Sequence, residues 1–483
     1  MVELVGRSHE KEQLQTILDS PMAEFVVVYG RRRVGKTYLI REFFKMGSQF
    51  IEICGIKDGD TQAQLAVVTQ QTQKTFLPGV ALQTAPDWST ALGLLTEQIK
   101  KISKTKKVVL FMDELPWLVT AKSELLQQLD RFWNTQWSRM PNLKVILCGS
   151  AASWMLEYLI HAKGGLHNRL TRVIALQPFT LKETKDYLKY LRVDLNNAQI
   201  VELYLAMGGV PLYLKQARRG LSASQMINRV CFQKTGLLYD EYPKLFAALF
   251  QQYEIKDKIV RAIASKRYGI SRDDILKLAG LKDGGWFSKH LKELEEAGFV
   301  ASFTPLQHQA KYAWYRLIDE YVHFYLTWIQ KAPKGMFAQS KHDYWNLKRQ
   351  TPAYRAWSGY AFEALCFKHL DLIRAALGIE SVPCETGVWS YRSKSKQEKG
   401  VQIDLIFDRS DGVITLCEIK YSAEPFVITK AYAEELTYKK AMLQKHYAKR
   451  KHVLIAMVTL NGLERNLYAN QWVAAEVRMA ELF

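Results

Sequence analysis

Short runs of apolar, largely β-branched residues alternate with helically spaced stretches through residues 1–178. A continuous apolar run bounded by turn residues is what a strand buried on both faces requires, and its alternation with helices predicts a mostly parallel sheet. The runs place strands over 25–29, 49–54, 108–112, 143–148 and 172–176. Farther along the pattern changes. Residues 255–303 predict three helices and a wing: Ile255 to Ala264 at helical spacing, a second helix capped by Ser271 before Asp273 and Asp274, a third from about Gly285 to Ala297, and a strand opening at Gly298. The last part predicts helix (about 352–377), strands (382–391, 401–407, 413–421), helix (428–447), strand (453–459) and helix, an αβββαβ order. Between Tyr312 and Trp328 aromatics crowd into a stripe that reads as core, packing the three helices and wing against the C-terminal part of the chain, with His323 as a satisfied core histidine.

These patterns divide the 483 residues into four expected domains: 1–178, an α/β core; 179–250, a helical lid; 251–333, a winged helix-turn-helix; and 334–483, a restriction-endonuclease-like αβββαβ domain entered through the linker-like Ala332-Pro333-Lys334-Gly335. The fold class is therefore multidomain α/β.

The chemistry is most legible at the first strand. Phe25 to Tyr29 breaks at Gly30, and Gly35-Lys36-Thr37 opens a stretch of helix formers, completing G-x-x-x-x-G-K-[ST]. The glycines let successive backbone N–H groups turn inward onto phosphates, and the new helix adds the positive end of its dipole. Gly30, Arg31, Arg32, Arg33, Val34, Gly35, Lys36 and Thr37, with Tyr38 following, are the expected ATP-binding loop; Lys36 reaches the β/γ-phosphates and Thr37 holds Mg²⁺. The strand over 108–112 ends in Asp113-Glu114, where Asp113 is expected in the Mg²⁺ shell and Glu114 to orient the attacking water. Ser150, after the strand 143–148, lies where ligands collect in open α/β sheets, and reads equally as a γ-phosphate sensor or a helix N-cap. Arg169, preferred to Arg172, is a candidate for stabilising phosphoryl charge, within one chain or from a neighbouring subunit, or else an ordinary surface arginine.

The order Val5-Gly6-Arg7, GRRRVGKT, LFMDE, CGSAAS, NRL with LQPF, and Met207-Gly208-Gly209-Val210-Pro211 resembles the archaeal-type ATPase family, on the STAND and origin-recognition side of the AAA+ P-loop ATPases, over roughly the first 330 residues. That resemblance implies that Val5, Gly6 and Arg7 flank the adenine and that Pro211, in a helical lid, makes an adenine-side contact.

In the last domain Asp404 lies within one strand, and Glu418 and Lys420 share a face of the next because side chains alternate with period two. If Phe407 faces Val413 across the turn, Asp404 stands opposite Leu416 and diagonal to Glu418, within reach of a shared Mg²⁺. Glu363, on the preceding helix, supplies a further acid. This set resembles the PD-(D/E)XK nuclease superfamily, although Gln402-Ile403 replaces the usual proline before the aspartate. The resemblance implies metal-dependent phosphodiester cleavage with Asp404 and Glu418 as metal ligands and Lys420 beside them; the alternative is an edge ion pair between Glu418 and Lys420. The basic loop Arg392 to Lys399 either grips phosphates or is a solvated hairpin tip.

Charge narrows the partners. Lys+Arg 67 against Asp+Glu 48 gives a formal net charge of +19, which favours a polyanion such as nucleic acid, DNA first. On the third helix Trp286, Ser288, Lys289, His290 and Lys292 are the candidate groove contacts, opposed by Glu293, Glu295 and Glu296. The six cysteines form no C-x-x-C pair and read as free thiols of a cytoplasmic protein; no run reaches the ~18 apolar residues that span a bilayer. The expectation is an ATPase whose nucleotide state controls DNA binding and cleavage, or alternatively a STAND-like regulatory switch carrying an inactive nuclease fold, as a homo-oligomer or with a partner protein.

Overall fold

Along β1 (Glu24–Tyr29) the side chains sort by parity: Phe25 and Val27 join one apolar core, Val26 and Val28 another. Both faces of the strand are thus covered, which is why the run is continuous rather than alternating. The structure, a computed structural model, describes residues 4–121, 123–161, 165–250, 252–267, 269–306, 313–333, 344–393 and 398–483. With β2 (Gln49–Cys54), β3 (Val108–Asp113), β4 (Leu143–Gly149) and β5 (Arg172–Ala175), β1 builds a parallel sheet in the order β2-β3-β4-β1-β5. Each of the five expected strands is present to within a residue or so. The order inserts β4 between the strand that leads into the phosphate loop and the strand that ends in Asp113.

The chain divides into two compact units: 1–179 with 210–212 and 247–251, and 180–209 with 213–246 and 252–483. The expected lid, winged helix and last domain thus fall largely within the second unit. Aromatic packing unites that unit. Phe324 meets Trp345 at 4.9 Å between ring centroids, Trp328 meets Trp345 at 5.6 Å, and Trp345 meets Trp357 at 6.1 Å, all four rings being buried. The stripe after residue 312 is core, as its composition predicts; Tyr312, Lys334 and Gly335 lie outside the described residues.

Helices Tyr253–Ala264, Arg272–Ala279 and Gly285–Glu296 are followed by a small antiparallel sheet, β6 (Ile270–Ser271), β7 (Val300–Phe303) and β8 (Trp314–Leu317), in the order β6-β8-β7. Ser271 caps the second helix as expected, its hydroxyl accepting from Asp274 N at 3.2 Å.

The C-terminal sheet runs β13-β12-β11-β10-β9, with β9 (Cys384–Tyr391), β10 (Val401–Arg409), β11 (Val413–Lys420), β12 (His452–Thr459) and β13 (Ala475–Arg478). The pairs β9/β10 and β10/β11 are antiparallel; β11/β12 and β12/β13 are parallel. The final strand is absent from the predicted order because its four residues, AEVR, carry one buried position at a sheet edge. The register also differs from the expectation. Phe407 faces Thr415 and Leu405 faces Cys417, so continuing the ladder by one step sets Asp404 opposite Glu418 rather than opposite Leu416. On its other side β10 carries an irregularity against β9 between Ile403 and Ile406, which re-aims the chain at Asp404.

Candidate functional site

Glycine and left-handed backbone shape the loop after β1. Gly35 has φ 93° and Arg33 φ 72°, and a methyl group on Gly30 would collide with the Leu176 carbonyl oxygen. The turn therefore closes tightly enough that the Lys36 ammonium, itself buried, donates to the carbonyls of Gly30 at 2.9 Å and Arg31 at 3.0 Å. Burial lowers the Lys36 pKa, with Cys148, Glu114 and Asp113 acting in the opposite direction. A lysine so placed is a cation aimed at the space the loop encloses. Thr37 Oγ1 donates to Asp113 Oδ2 at 2.7 Å, bringing together the two residues expected to share Mg²⁺. These hard oxygens at a helix N-terminus suit the magnesium ion of a nucleotide.

Glu114, with φ 48°, opens the short helix Leu115–Leu118 and turns its carboxylate toward β4. Its Oε2 accepts from Ser150 N at 3.1 Å and from Ser150 Oγ at 2.9 Å. Of the two readings of Ser150, the N-cap is excluded: Ala151 occupies that position, and the hydroxyl is spent on Glu114. Arg7 is tied to the loop by a bond from Nη2 to the Val34 carbonyl at 3.2 Å and lies 4.5 Å over the Phe179 ring. Gly6 also has positive φ, 67°, and Tyr38 is exposed on the helix face. Pro211 starts the short helix Pro211–Leu214 and belongs to the first compact unit.

Arg169 is not brought to its own phosphate loop. Thr171 N bonds Phe25 O, so Arg169 sits by the entrance of β1, whereas the loop leaves the other end, about 17 Å away at ~3.3 Å per residue. Its guanidinium lies 3.8 Å from Asp130. The same-chain role is therefore corrected by the direction of the strands, and Arg172, at the start of β5, shares that edge.

In the C-terminal sheet the three expected acids converge. Asp404 Oδ2 accepts from Ile419 N at 3.0 Å, and Glu418 is fully buried. Burial, then the Asp404 charge, raises the Glu363 pKa to about 7, and the same two causes raise that of Glu418. Lys420 Nζ lies 3.4 Å from Glu418 Oε2. Two groups not anticipated from sequence complete the cluster. Lys439 donates to both Glu418 oxygens at 2.8 Å, and Tyr432 OH donates to Glu418 at 3.1 Å. They lie two helical turns apart on Lys430–Leu443, a spacing that puts both on one face. Glu363 is held by the Arg267 guanidinium and lies 3.5 Å from Arg316 Nη2. Among the described residues no three His, Cys, Asp or Glu side chains form a ready metal-holding group. The cluster's own cations stand against its carboxylates instead.

The third helix departs from its expected role at one position. His290 is buried, with Lys256 Nζ 3.0 Å from its Nδ1, and cannot reach a groove; Trp286, Ser288, Lys289 and Lys292 are exposed. All six cysteines are free; Cys148, Cys231, Cys366 and Cys417 are buried, Cys54 is exposed and Cys384 partly so. Of the basic loop, residues 394–397 lie outside the described residues. Among the described residues no helix is long and apolar enough to cross a membrane.

The first 217 residues thus carry a phosphate loop, an acidic strand end one strand removed, and a parallel α/β sheet, the fold and site of a P-loop ATPase domain. Residues 4–217 match the model of an ATPase domain predominantly from Archaea, so the chain carries a nucleotide-binding ATPase domain of this kind. Over 424 residues the chain is 24% identical to the uncharacterized protein MJECL04 of Methanocaldococcus jannaschii, covering 86% of this chain and 87% of that one. Among solved structures it is similar to the Walker-type ATPase PABY2304 of Pyrococcus abyssi, at 18% identity, TM-score 0.47, over 66% of this chain and 95% of that one. It is also similar to the Aeropyrum pernix ORC2 protein in its ADPNP-ADP complexes, at 15% identity, TM-score 0.42, over 72% and 96%.

Proposed function

We propose that the chain couples the nucleotide state of its ATPase domain to nucleic-acid binding and to Mg²⁺-dependent phosphodiester cleavage in the C-terminal sheet. The observation that carries the cleavage reading is the convergence of Glu363, Asp404 and Glu418 from one helix and two paired strands, with Lys420 beside Glu418. By type the donors suit magnesium, being hard carboxylate oxygens; burial, and after it the Asp404 charge, raises the Glu363 pKa, while Arg267 and Arg316 act in the opposite direction. Asp404 and Glu418 would hold the ion, which would supply a water of lowered pKa and charge neutralisation at the leaving oxygen. Lys420 positions that water's neighbourhood and steadies phosphoryl charge. The β9–β13 sheet with its flanking helices supports a PD-(D/E)XK reading, and the three helices with β6–β8 support a winged helix that presents Trp286, Ser288, Lys289 and Lys292 to DNA.

At the ATPase site Lys36 binds phosphate, Thr37 and Asp113 hold the nucleotide's Mg²⁺, and Glu114, released from Ser150, orients the attacking water. Gly6, Arg7 and Pro211 flank the base. Arg169, remote from its own loop and exposed, acts on a neighbouring subunit of a homo-oligomer.

A specific observation favours a second reading, a nucleotide-dependent regulatory switch whose C-terminal fold is a scaffold. Lys439 covers both oxygens of Glu418, and Arg267 and Arg316 face Glu363, so the carboxylates are already compensated. The deciding assay runs plasmid, linear duplex, single-stranded DNA and RNA with Mg²⁺ or Mn²⁺, with and without ATP, for the wild type, Asp404→Ala and Lys36→Ala. Cleavage lost in the first variant and altered in the second establishes the gated nuclease. Nucleotide binding without cleavage on any substrate establishes the switch.

A further inference from the structure

A groove of about 710 Å³ lies within the second unit, between the connection that carries Lys266 with the helix Arg272–Ala279 that carries Lys277 and the β9–β10 edge that carries Arg392. Its wall brings together Lys266, Arg267, Lys277 and Arg392 against a single acid, Asp274. All four cations are exposed. Aromatic surface interleaves with them. Trp314 and Tyr391 are half-buried in the wall, while Trp389, only 1% exposed, belongs to the apolar core behind it. A cationic groove lined with aromatic faces is the chemistry that tracks a single nucleic-acid strand, phosphates on the basic groups and bases on the rings.

One residue links the groove to the acids. Arg267 lines the groove and also holds Glu363. We propose that the groove binds a single strand of nucleic acid, and that Arg267 exchanges Glu363 for a strand phosphate, so that strand binding uncovers the carboxylate cluster. The binding half stands by itself; the uncovering half rests on the proposed cleavage activity. A phosphodiester oxygen can accept from the Arg267 Nη2 group that now donates to Glu363, so the exchange replaces one charge-assisted hydrogen bond with another. Glu363 would then be left with Arg316, beside Asp404.

The test is anisotropy of a labelled ten-residue oligothymidylate and of a blunt duplex of the same length, in EDTA, across a salt series. The double variant Lys277→Glu, Arg392→Glu is compared with Lys100→Glu, Lys101→Glu, which makes the same charge change on a helix of the first unit. The groove variant is expected to bind the single strand at least tenfold more weakly, its salt slope reduced by about 1.4 for two lost phosphate contacts, while the control variant stays within about threefold of wild type. Equal losses in both variants, or equal affinity for duplex and single strand, would overturn the groove assignment. Arg267→Met separates the second half: with strand bound, wild type and variant are compared for Mn²⁺ binding by electron paramagnetic resonance. The exchange predicts that oligothymidylate raises Mn²⁺ occupancy in wild type and that Arg267→Met shows raised occupancy without it; occupancy unmoved by strand in wild type refutes the exchange. Because binding is read in EDTA, a chain that binds strand through the groove but never cleaves refutes the cleavage reading and leaves the groove standing.

Discussion

Thr37 Oγ1 and Asp113 Oδ2 lie 2.7 Å apart although β4 separates the strands that position them. The bond spans the sheet edge because both side chains leave carboxyl ends of parallel strands, and it fixes where a nucleotide's metal is received. Replacing Asp113 with Ala should weaken ATP binding about tenfold in Mg²⁺ and little in EDTA, since a charge-assisted contact is worth about 1.5–3 kcal/mol. Lys36→Ala, which removes the cation resting on the Gly30 and Arg31 carbonyls, should weaken binding by about tenfold to a hundredfold in either condition. Calorimetric titration with ATP checks both; Asp113→Ala losses independent of Mg²⁺ would remove Asp113 from the metal shell.

Glu114 is held by Ser150 through a backbone and a hydroxyl bond to the same carboxylate oxygen. Glu114→Gln should bind ATP nearly as wild type but turn it over at least about a hundredfold more slowly, because a positioned carboxylate contributes ~10²–10⁴ in rate. Ser150→Ala, which leaves the backbone bond, should raise basal turnover a few-fold, in line with one hydrogen bond of about 0.5–1.5 kcal/mol. Phosphate release under single-turnover conditions reads both. A Ser150→Ala enzyme slower than wild type would make Ser150 a positioning group for Glu114 rather than a restraint on it.

The parallel sheet was legible because its strands are buried on both faces, and burial of that kind leaves an uninterrupted apolar run that periodicity alone detects. The phosphate loop was legible because phosphate geometry constrains residue type at fixed spacing. The partners of the acids were not. Lys439 reaches Glu418 from a helix 21 residues downstream, and Arg267 reaches Glu363 across 96 residues, separations that only tertiary packing defines. The Asp404 register depends on where the turn falls: the ladder closes on Asp408 and Ile414, each one residue farther along the chain than the expected Phe407 and Val413, which moves the residue opposite any β10 position by two. Arg169 shows the remaining gap, since a motif names a residue type without saying at which end of a strand it lies.

His323 is partly buried against the aromatic core, its Nδ1 accepting from Trp357 Nε1 at 3.1 Å and its ring packed at 4.7 Å from Tyr360. Burial, with the nearby Arg316 charge, lowers its pKa from 6.5 to about 3. The folded state therefore keeps this ring neutral where the unfolded chain takes up a proton, so stability falls as pH drops from about 6.5 toward 3, by up to about 1.4 kcal/mol per pH unit. His323→Asn retains an acceptor for Trp357 and cannot titrate. Urea midpoints between pH 7 and 4 should show a shallower fall in the variant, by one proton; parallel curves would mean that His323 is protonated in the fold.

Glu418 is fully buried, and Lys439, itself only 12% exposed, covers both its oxygens. Burial works against the Lys439 charge, and Glu418 more than offsets it, leaving the lysine pKa raised. Removing one partner of such a pair strands the other, at a cost of about 3–5 kcal/mol. Lys439→Met should therefore lower the thermal midpoint of the C-terminal transition by several degrees. The two readings of the cluster then diverge. If the acids are a metal site that Lys439 closes at rest, millimolar Mg²⁺ or Mn²⁺ replaces the missing cation, and the variant should recover stability with metal far more than wild type does, since a ligand stabilises the state it binds in proportion to the logarithm of its saturation. Asp404→Asn in the same background should abolish that recovery by removing a ligand without emptying volume. A Lys439→Met protein that metal leaves equally unstable would make the acids a structural ion-pair network, and the C-terminal fold a scaffold for a nucleotide switch.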